Sequence, residues 1–204
     1  MIIIGVEFGQ RRSPSVICVA TNPLRSSDGH QERHFLIRGL ERLATGTTFP
    51  ALALRLSEMQ AGAKKHAPRE RIAVYVNATG VGEPLVQFLD SRISSRVRPV
   101  YFTHGDRRAE NWPQVELGKA LLVGRLQMLL QTGRIHLPKT PQTEILAREL
   151  LDYEIRVESD ANEHYGSFSV GTQDDLVMAL GLAVQTDMPH PGVISGALPR
   201  PPGW

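Results

Sequence analysis

Residues 2–10 read IIIGVEFGQ, and this stretch decides where the fold starts and where its first candidate site residue lies. The β-branched apolar run at 2–8 predicts a buried strand with Glu7 at its end, and 9–13 has the composition of a tight turn. Apolar runs at 14–20 and at 34–38, separated by a polar loop at 22–31, predict two further strands. Their short connections indicate an antiparallel meander.

The rest of the chain alternates between strand and helix patterns. Apolar residues recur there either at helical spacing or in short β-branched runs. We predict helices at 49–65, 83–91, 115–131, 143–153 and 174–185, strands at 72–76 and 97–102, and a hairpin that pairs 155–157 with 165–170. A meander followed by this alternation predicts an α/β fold with a mixed central sheet flanked by helices.

The length of 204 residues suits one domain with its own core, which we place at 1–187. Residues 188–204 are rich in Pro and Gly and are predicted to form a C-terminal tail. The formal net charge of +2 neither requires nor excludes a nucleic acid partner, because a basic face can exist within a nearly neutral total.

Cysteine content and the lengths of the apolar runs indicate in which cellular compartment the protein is expected. Cys18 is the single cysteine, which excludes an intramolecular disulfide and a thiolate zinc cluster, and its apolar surroundings predict a buried thiol. The N-terminus lacks the features of a signal peptide, and no apolar stretch has the length of a membrane span. We therefore expect a soluble, intracellular protein without a membrane partner.

Four polar residues occupy positions where chemistry is expected. Glu7 ends the first strand, Asn77 follows the strand at 72–76, and Asp174 and Asp175 open the last helix. Strand ends and helix starts meet at one edge of an open α/β sheet, where ligands bind. Oxygen ligands suit Mg²⁺ or Mn²⁺, and two such ions about 4 Å apart can promote phosphodiester hydrolysis.

Simpler interpretations exist for each of these residues alone. A glutamate at a strand end is usually only solvated, and two aspartates at a helix start are well explained by capping and by the helix dipole. The glycines at 80 and 82 belong to no complete nucleotide-binding motif, and the histidines form no metal-binding pair of the H-x-x-x-H type. The combination of positions, rather than any one of them, carries the site hypothesis.

Three blocks resemble a known family: GVEFGQ at 5–10, NATGVG at 77–82 and DDLVMAL at 174–180. In this order and spacing, and together with 115–133, 135–138 and 146–153, they look like the nuclease domains of phage terminase large subunits. The resemblance covers about residues 2–186. It implies a ribonuclease-H-like fold with an acidic cluster at one sheet edge, a pair of divalent ions (Mg²⁺ or Mn²⁺), and hydrolysis of DNA.

Carried over by position, Glu7 occupies the first metal-ligand place, Asn77 the second, and Asp174 and Asp175 the third. Asp175 aligns better with the helix-borne ligand of the related Holliday-junction resolvases. The family usually has Asp at the first place and an acidic residue at the second. Because Asn77 removes one negative charge and Glu7 is longer than Asp, we expect one weak metal position, low activity, and a preference for manganese over magnesium.

The resemblance implies a metal-dependent DNA endonuclease domain of a terminase large subunit, cutting double-stranded DNA during genome packaging in the host cytoplasm. Its implied partners are a terminase ATPase domain, the small terminase subunit or the portal. Two alternatives stay open: a catalytically impaired module that binds DNA or a packaging partner, and a resolvase of branched DNA. The loops flanking the site are expected to contact DNA through Arg11, Arg12, Arg107 and Arg108.

Overall fold

The structure is a computed structural model that describes residues 1–9, 13–27, 30–80, 82–157, 163–166 and 174–186. Several sequence expectations lie outside these residues: Arg11 and Arg12, the last part of the hairpin predicted at 165–170, and the tail at 188–204. In the part that is described, no helix is long and apolar enough to cross a membrane.

A mixed eight-stranded sheet forms the centre of the fold, as the sequence predicted. Its order is β10-β5-β2-β1-β6-β7-β9-β8. The strands are β1 (Ile2–Glu7), β2 (Val16–Thr21), β5 (Phe35–Arg42), β6 (Ile72–Asn77), β7 (Val97–Thr103), β8 (Arg108–Asn111), β9 (Gln114–Gly118) and β10 (Ile135–His136). Strands β1, β2 and β5 form the predicted antiparallel meander, and β6, β7 and β9 continue the sheet parallel to β1.

Among the described residues, two small hairpins lie outside the main sheet. One pairs β3 (Leu24–Ser27) with β4 (His30–Arg33) across most of the segment predicted as a polar loop at 22–31, so that prediction was wrong. The other pairs β11 (Glu154–Val157) with β12 (Glu163–Gly166), in the region where a hairpin was predicted.

In the described part of the chain, five helices cover the sheet: α1 (Phe49–His66), α2 (Gly82–Asp90), α3 (Lys119–Gln131), α4 (Pro141–Asp152) and α5 (Asp175–Ala183). The helix predicted at 115–131 begins later than expected, because residues 115–118 pair with β7 and β8 as strand β9. Apolar residues at a strand–helix junction fit either element by their pattern alone. Here the pairing with neighbouring strands makes residues 115–118 a strand.

Alternation along β1 divides the core into two layers. Ile2, Ile4 and Val6 pack with α1 and α2, whereas Ile3 packs with α3, α4 and α5. Gly5 also faces the second layer: a Cβ there would lie 2.3 Å from the carbonyl oxygen of Ala179. This close approach places α5 directly on β1. By the same alternation Glu7 lies on the α5 side of the sheet.

Candidate metal centre at the carboxyl edge of the sheet

Glu7 and Asn77 end neighbouring parallel strands, and their side chains are bonded to each other. The register aligns Val6 with Val76, so the residues that follow them, Glu7 and Asn77, lie side by side. Asn77 Nδ2 donates to both carboxylate oxygens of Glu7, at 2.9 and 3.0 Å. Asn77 Oδ1 accepts the backbone N–H of Thr79 at 2.9 Å, which fixes the amide orientation. Asn77 therefore holds Glu7 in place, and its ligation of a metal stays a prediction.

Asp174 and Asp175 stand at the start of α5, where capping was the simpler interpretation. Asp174 is the N-cap residue but makes no side-chain capping bond. Asp175 is 8% exposed, and its Oδ2 atom is buried with no hydrogen-bond partner among the described residues. A buried oxygen without a partner is costly in a folded protein. Helix capping by these side chains therefore does not explain why two aspartates stand here.

Glu149 and Arg42 border the aspartates, and neither was identified from the sequence. Glu149 Oε2 accepts the backbone N–H of Leu176 at 3.0 Å, and Glu149 Oε1 accepts a bond from Arg42 Nη2. Arg42 and Glu149 are 107 residues apart in the chain. Glu149 lies within the 146–153 stretch, but that stretch gives no sign of a partner in Arg42, and the packing of α4 against β5 brings the two side chains together.

Burial raises the pKa values of all three carboxyl groups at this edge. For Glu7 the pKa rises from 4.5 to about 8: desolvation is the largest cause, Asn77 opposes it, and the charges of Asp175 and Asp174 add to it. For Asp175 desolvation, reinforced by Asp174, raises the pKa from 3.8 to about 6. Desolvation also raises the pKa of Asp174, against the opposing charge of Lys119. These mutual effects place the three carboxyl groups in one electrostatic cluster.

Lys119 is a further charged residue of this cluster that the sequence reading missed. It is the first residue of α3, directly after β9, and its positive charge lowers the pKa of both Glu7 and Asp174. A lysine at the first position of a helix is unremarkable in sequence. Its place beside the acids follows from the order of the parallel strands, which puts the end of β9 at the same sheet edge as the end of β1.

The loop before β8 lies against the end of β9. Gly118 donates its N–H to the Arg107 carbonyl at 2.7 Å, and a Cβ on Gly118 would lie 2.2 Å from the Gly105 carbonyl oxygen. Arg107 is exposed in this loop. Arg108 is not free to contact DNA in the same way, because its side chain is 7% exposed and bonds the Gln185 carbonyl at 2.7 Å and the Glu110 carboxylate. Of the two described arginines that were predicted to contact DNA, Arg107 is the exposed one, and its contact with DNA stays a prediction.

The donor set suits a hard divalent cation, but the site is not a preassembled cage. Among the described residues, no three or more Asp, Glu, His or Cys side chains are arranged to hold a metal. The chemistry of the oxygen donors nevertheless fits Mg²⁺ or Mn²⁺, as does the buried Oδ2 of Asp175, which has no partner in the part of the chain that the structure describes.

No protein-family model matches the chain, and no curated protein matches its sequence. Solved structures match its fold. The magnesium-bound large terminase nuclease of thermophilic phage G20c has a TM-score of 0.62 and 23% identity, over 90% of this chain and 79% of that chain.

The nuclease domain of the bacteriophage SPP1 large terminase, with bound manganese, matches with a TM-score of 0.56 and 12% identity, over 92% and 86% of the two chains. The HK97 bacteriophage large terminase matches with a TM-score of 0.57 and 10% identity, over 89% of this chain and 38% of that chain. The resemblance noticed in the sequence is confirmed at the level of architecture: this chain has the ribonuclease-H-like fold of terminase large-subunit nuclease domains.

Proposed function

We propose that this chain is a divalent-metal-dependent DNA endonuclease domain of a terminase large subunit. The observation that carries the proposal is the buried Oδ2 of Asp175, which has no hydrogen-bond partner among the described residues and lies in an acidic cluster with Glu7 and Asp174. The cluster stands at the carboxyl edge of the sheet, where open α/β folds bind ligands. Relatives in fold from phages G20c and SPP1 were solved with magnesium and manganese bound, which supports the choice of ion.

Each residue of the site has a distinct part in this proposal. Asp175, Asp174 and Glu7 supply the oxygen ligands, and Asn77 orients Glu7 through its two hydrogen bonds. Bound Mg²⁺ or Mn²⁺ would neutralise phosphate charge and activate a water for attack on a phosphodiester. Lys119 places a positive charge beside Glu7 and Asp174, where it attracts phosphate and also competes with the cation.

The charge balance at the edge supports a low activity. Asn77 is neutral, Lys119 is positive, and Glu7 with a pKa of about 8 is largely protonated at pH 7 before metal binds. Magnesium requires nearly ideal octahedral geometry and sheds its waters reluctantly, whereas manganese binds nitrogen and oxygen sites more readily. We therefore expect manganese to support faster cleavage than magnesium.

Plasmid nicking tests the proposal directly. Supercoiled plasmid is incubated with wild type in Mn²⁺, in Mg²⁺ and in EDTA, beside Asp175→Ala and a control, Glu32→Ala, which removes an exposed carboxylate on β4. We expect nicking with either ion, fastest in Mn²⁺, and none in EDTA. Asp175→Ala should lose more than about 100-fold, because even residues behind a metal ligand contribute about 10- to 100-fold. Equal nicking rates for wild type and Asp175→Ala would contradict the assignment of Asp175 to the metal site.

DNA binding is tested by fluorescence anisotropy with a labelled duplex over a range of salt concentrations. Arg107→Ala should weaken binding a few-fold and reduce the salt slope by about 1, the effect of one phosphate contact. Arg96→Ala is the matched control, because Arg96 is exposed just before β7 at the opposite edge of the sheet. Absence of binding by wild type at low salt contradicts every function that includes DNA.

A second candidate is a DNA- or partner-binding module that keeps the fold and has lost catalysis. The observation that favours it is the same charge balance: Asn77 and Lys119 leave the cluster less anionic than a standard two-metal site. This candidate predicts salt-dependent DNA binding without nicking in either ion. The anisotropy and nicking experiments together separate the two functions.

The biological setting follows from the same proposal. The part of the HK97 large terminase that matches this chain is 38% of the HK97 chain. A nuclease domain of this fold can therefore belong to a longer terminase polypeptide. We infer genome packaging in the host cytoplasm, with a terminase ATPase domain, the small terminase subunit or the portal as partners. Nothing in the described residues favours branched DNA over linear duplex.

A further inference from the structure

The start of α5 is capped by a residue from another helix. Helix N-termini leave backbone N–H groups without partners, and an Asp at the N-cap position ordinarily satisfies one of them with its own side chain. Asp174 occupies that position and makes no such bond. The N–H of Leu176 donates to Glu149 Oε2 at 3.0 Å, so α4 supplies the cap across 27 residues of chain.

The capping carboxylate is itself held in place. Glu149 is 8% exposed at its side chain, and Arg42, 19% exposed, donates to its other oxygen. Arg42 ends β5, where the register aligns it with Val16, and Val16 is aligned with Glu7 on β1. The cap is therefore tied to the same sheet edge as the proposed metal ligands.

This arrangement leaves the aspartate oxygens available. A carboxylate that caps its own helix has oxygens committed to backbone N–H groups, and a metal would have to displace those bonds. Because Glu149 accepts the hydrogen bond from the Leu176 N–H, Asp175 keeps a buried Oδ2 with no partner in the described part of the chain.

We propose that Glu149, held by Arg42, is a positioning residue of the metal site: it caps α5 in place of Asp174 and so keeps Asp174 and Asp175 free to bind the cation. This inference rests on the proposed metal-dependent function. Without Glu149, the aspartates would turn back to the free N–H groups of α5, and the metal would compete with the helix for their oxygens.

Calorimetric titration with Mn²⁺ tests the inference, on variants shown to be folded by circular dichroism. Glu149→Ala removes the cap and should weaken Mn²⁺ binding about tenfold, within the range for residues that orient metal ligands. Glu149→Gln keeps one acceptor oxygen for Leu176 but not the bond from Arg42, so it should weaken Mn²⁺ binding less than Glu149→Ala does, by no more than about fivefold. Glu144→Ala, which removes an exposed carboxylate from the same helix, should bind like wild type.

Arg42→Met separates positioning from simple electrostatics, because the two predict opposite signs. Removing a positive charge near Asp175 would by Coulomb attraction tighten cation binding. Releasing Glu149 from Arg42 should instead weaken cation binding by about fivefold, somewhat less than the roughly tenfold lower limit for loss of a residue that orients metal ligands. If Glu149→Ala does not fold, Arg42→Met and Glu149→Gln decide the question.

The outcomes separate this inference from the proposed function. Wild-type affinity in Glu149→Ala or tighter binding in Arg42→Met overturns the positioning role, even if both variants melt at lower temperature, since lower stability alone marks a structural residue. Loss of binding in Glu149→Gln also overturns it, because the charge rather than the cap would then matter. A wild type that binds no Mn²⁺ and nicks no plasmid overturns the proposed function, and this inference with it.

Discussion

Glu7 and Asp175 are two carboxylates at one sheet edge that tolerate burial in different ways. Glu7 receives two hydrogen bonds from Asn77, yet its pKa rises from 4.5 to about 8. Asp175 leaves one oxygen without a partner in the described residues, yet its pKa rises only from 3.8 to about 6. The charge of Arg42 opposes the rise at Asp175, whereas the two aspartates add to the rise at Glu7.

At Glu7 the hydrogen bonds from Asn77 and the positive charge of Lys119 both lower the pKa, and together they do not cancel the effect of desolvation. Desolvation is the largest cause at both residues, and Asn77 offsets only part of it at Glu7. Each carboxyl group therefore destabilises the metal-free fold over its own pH range. A bound divalent cation would supply the missing charge to both.

The largest expected effect concerns Glu7 and the pH dependence of stability. The unfolded chain releases this proton near pH 4.5, whereas the folded chain keeps it until about pH 8. The unfolded state thus binds fewer protons between these values, so the free energy of unfolding falls as pH rises through this window and is lowest above about pH 8. Each pH unit of the window costs up to about 1.4 kcal/mol.

Glu7→Gln should flatten this dependence, because the glutamine does not titrate. Urea denaturation in EDTA at pH 5, 6.5 and 8 measures it, with wild type and Glu32→Ala, exposed on β4, as references. We expect Glu7→Gln to exceed wild type by several kcal/mol at pH 8 and to differ little at pH 5. A wild-type stability that is constant between pH 5 and 8 contradicts the burial of a carboxyl group at this position.

A smaller effect is expected for Asp175→Asn, in a lower window. Here the free energy of unfolding should fall between pH 3.8 and about 6 in wild type, and the variant should lack this loss. We expect metal-free Asp175→Asn to gain about 2 kcal/mol at pH 7, which exceeds the 0.3–1 kcal/mol that a first-turn carboxylate contributes through the helix dipole.

The same urea series measures this change, and the variant also tests coupling between the two carboxylates. Because the Asp175 charge raises the pKa of Glu7, its removal should shift the upper window toward lower pH. A variant less stable than wild type in EDTA at pH 7 would mean that the Asp175 carboxylate is satisfied in the metal-free protein. The stability gain should come with loss of Mn²⁺ binding, the trade-off expected at a functional site.

The smallest of the three effects is expected for Asn77→Asp. The aspartate would lose the bonds to Glu7 and place a carboxyl group beside it, so metal-free stability should fall by about 1 kcal/mol. Mn²⁺ affinity and nicking should both rise, about tenfold, because a further carboxylate beside Glu7, Asp174 and Asp175 can help to hold two ions.

Calorimetry and nicking rates for wild type, Asn77→Asp and Glu7→Asp/Asn77→Asp provide the comparison. If wild type already cuts efficiently with magnesium and Asn77→Asp changes neither quantity, Asn77 stands outside the metal shell. If the double variant also binds no metal, the chain is better described as a binding module with the fold of a nuclease.

Several parts of the architecture could be predicted because local patterns determine them. The meander, the strand at Ile72–Asn77 and the helices α1, α4 and α5 followed from periodicity and breakers. The β3–β4 hairpin and strand β9 did not, because polar or junction segments become strands only when a neighbour supplies hydrogen bonds.

The sequence by itself determined which residues end the central strands and begin the last helix, since strand and helix limits are local properties. Glu7, Asn77, Asp174 and Asp175 were identified in that way. Only the tertiary structure decided that Asn77 bonds Glu7, that Lys119 charges the same edge, and that Glu149 rather than Asp174 caps α5. Asn77 and Glu7 are 70 positions apart and Glu149 and Leu176 are 27 apart, and strand order and helix packing, which no local pattern encodes, bring them together.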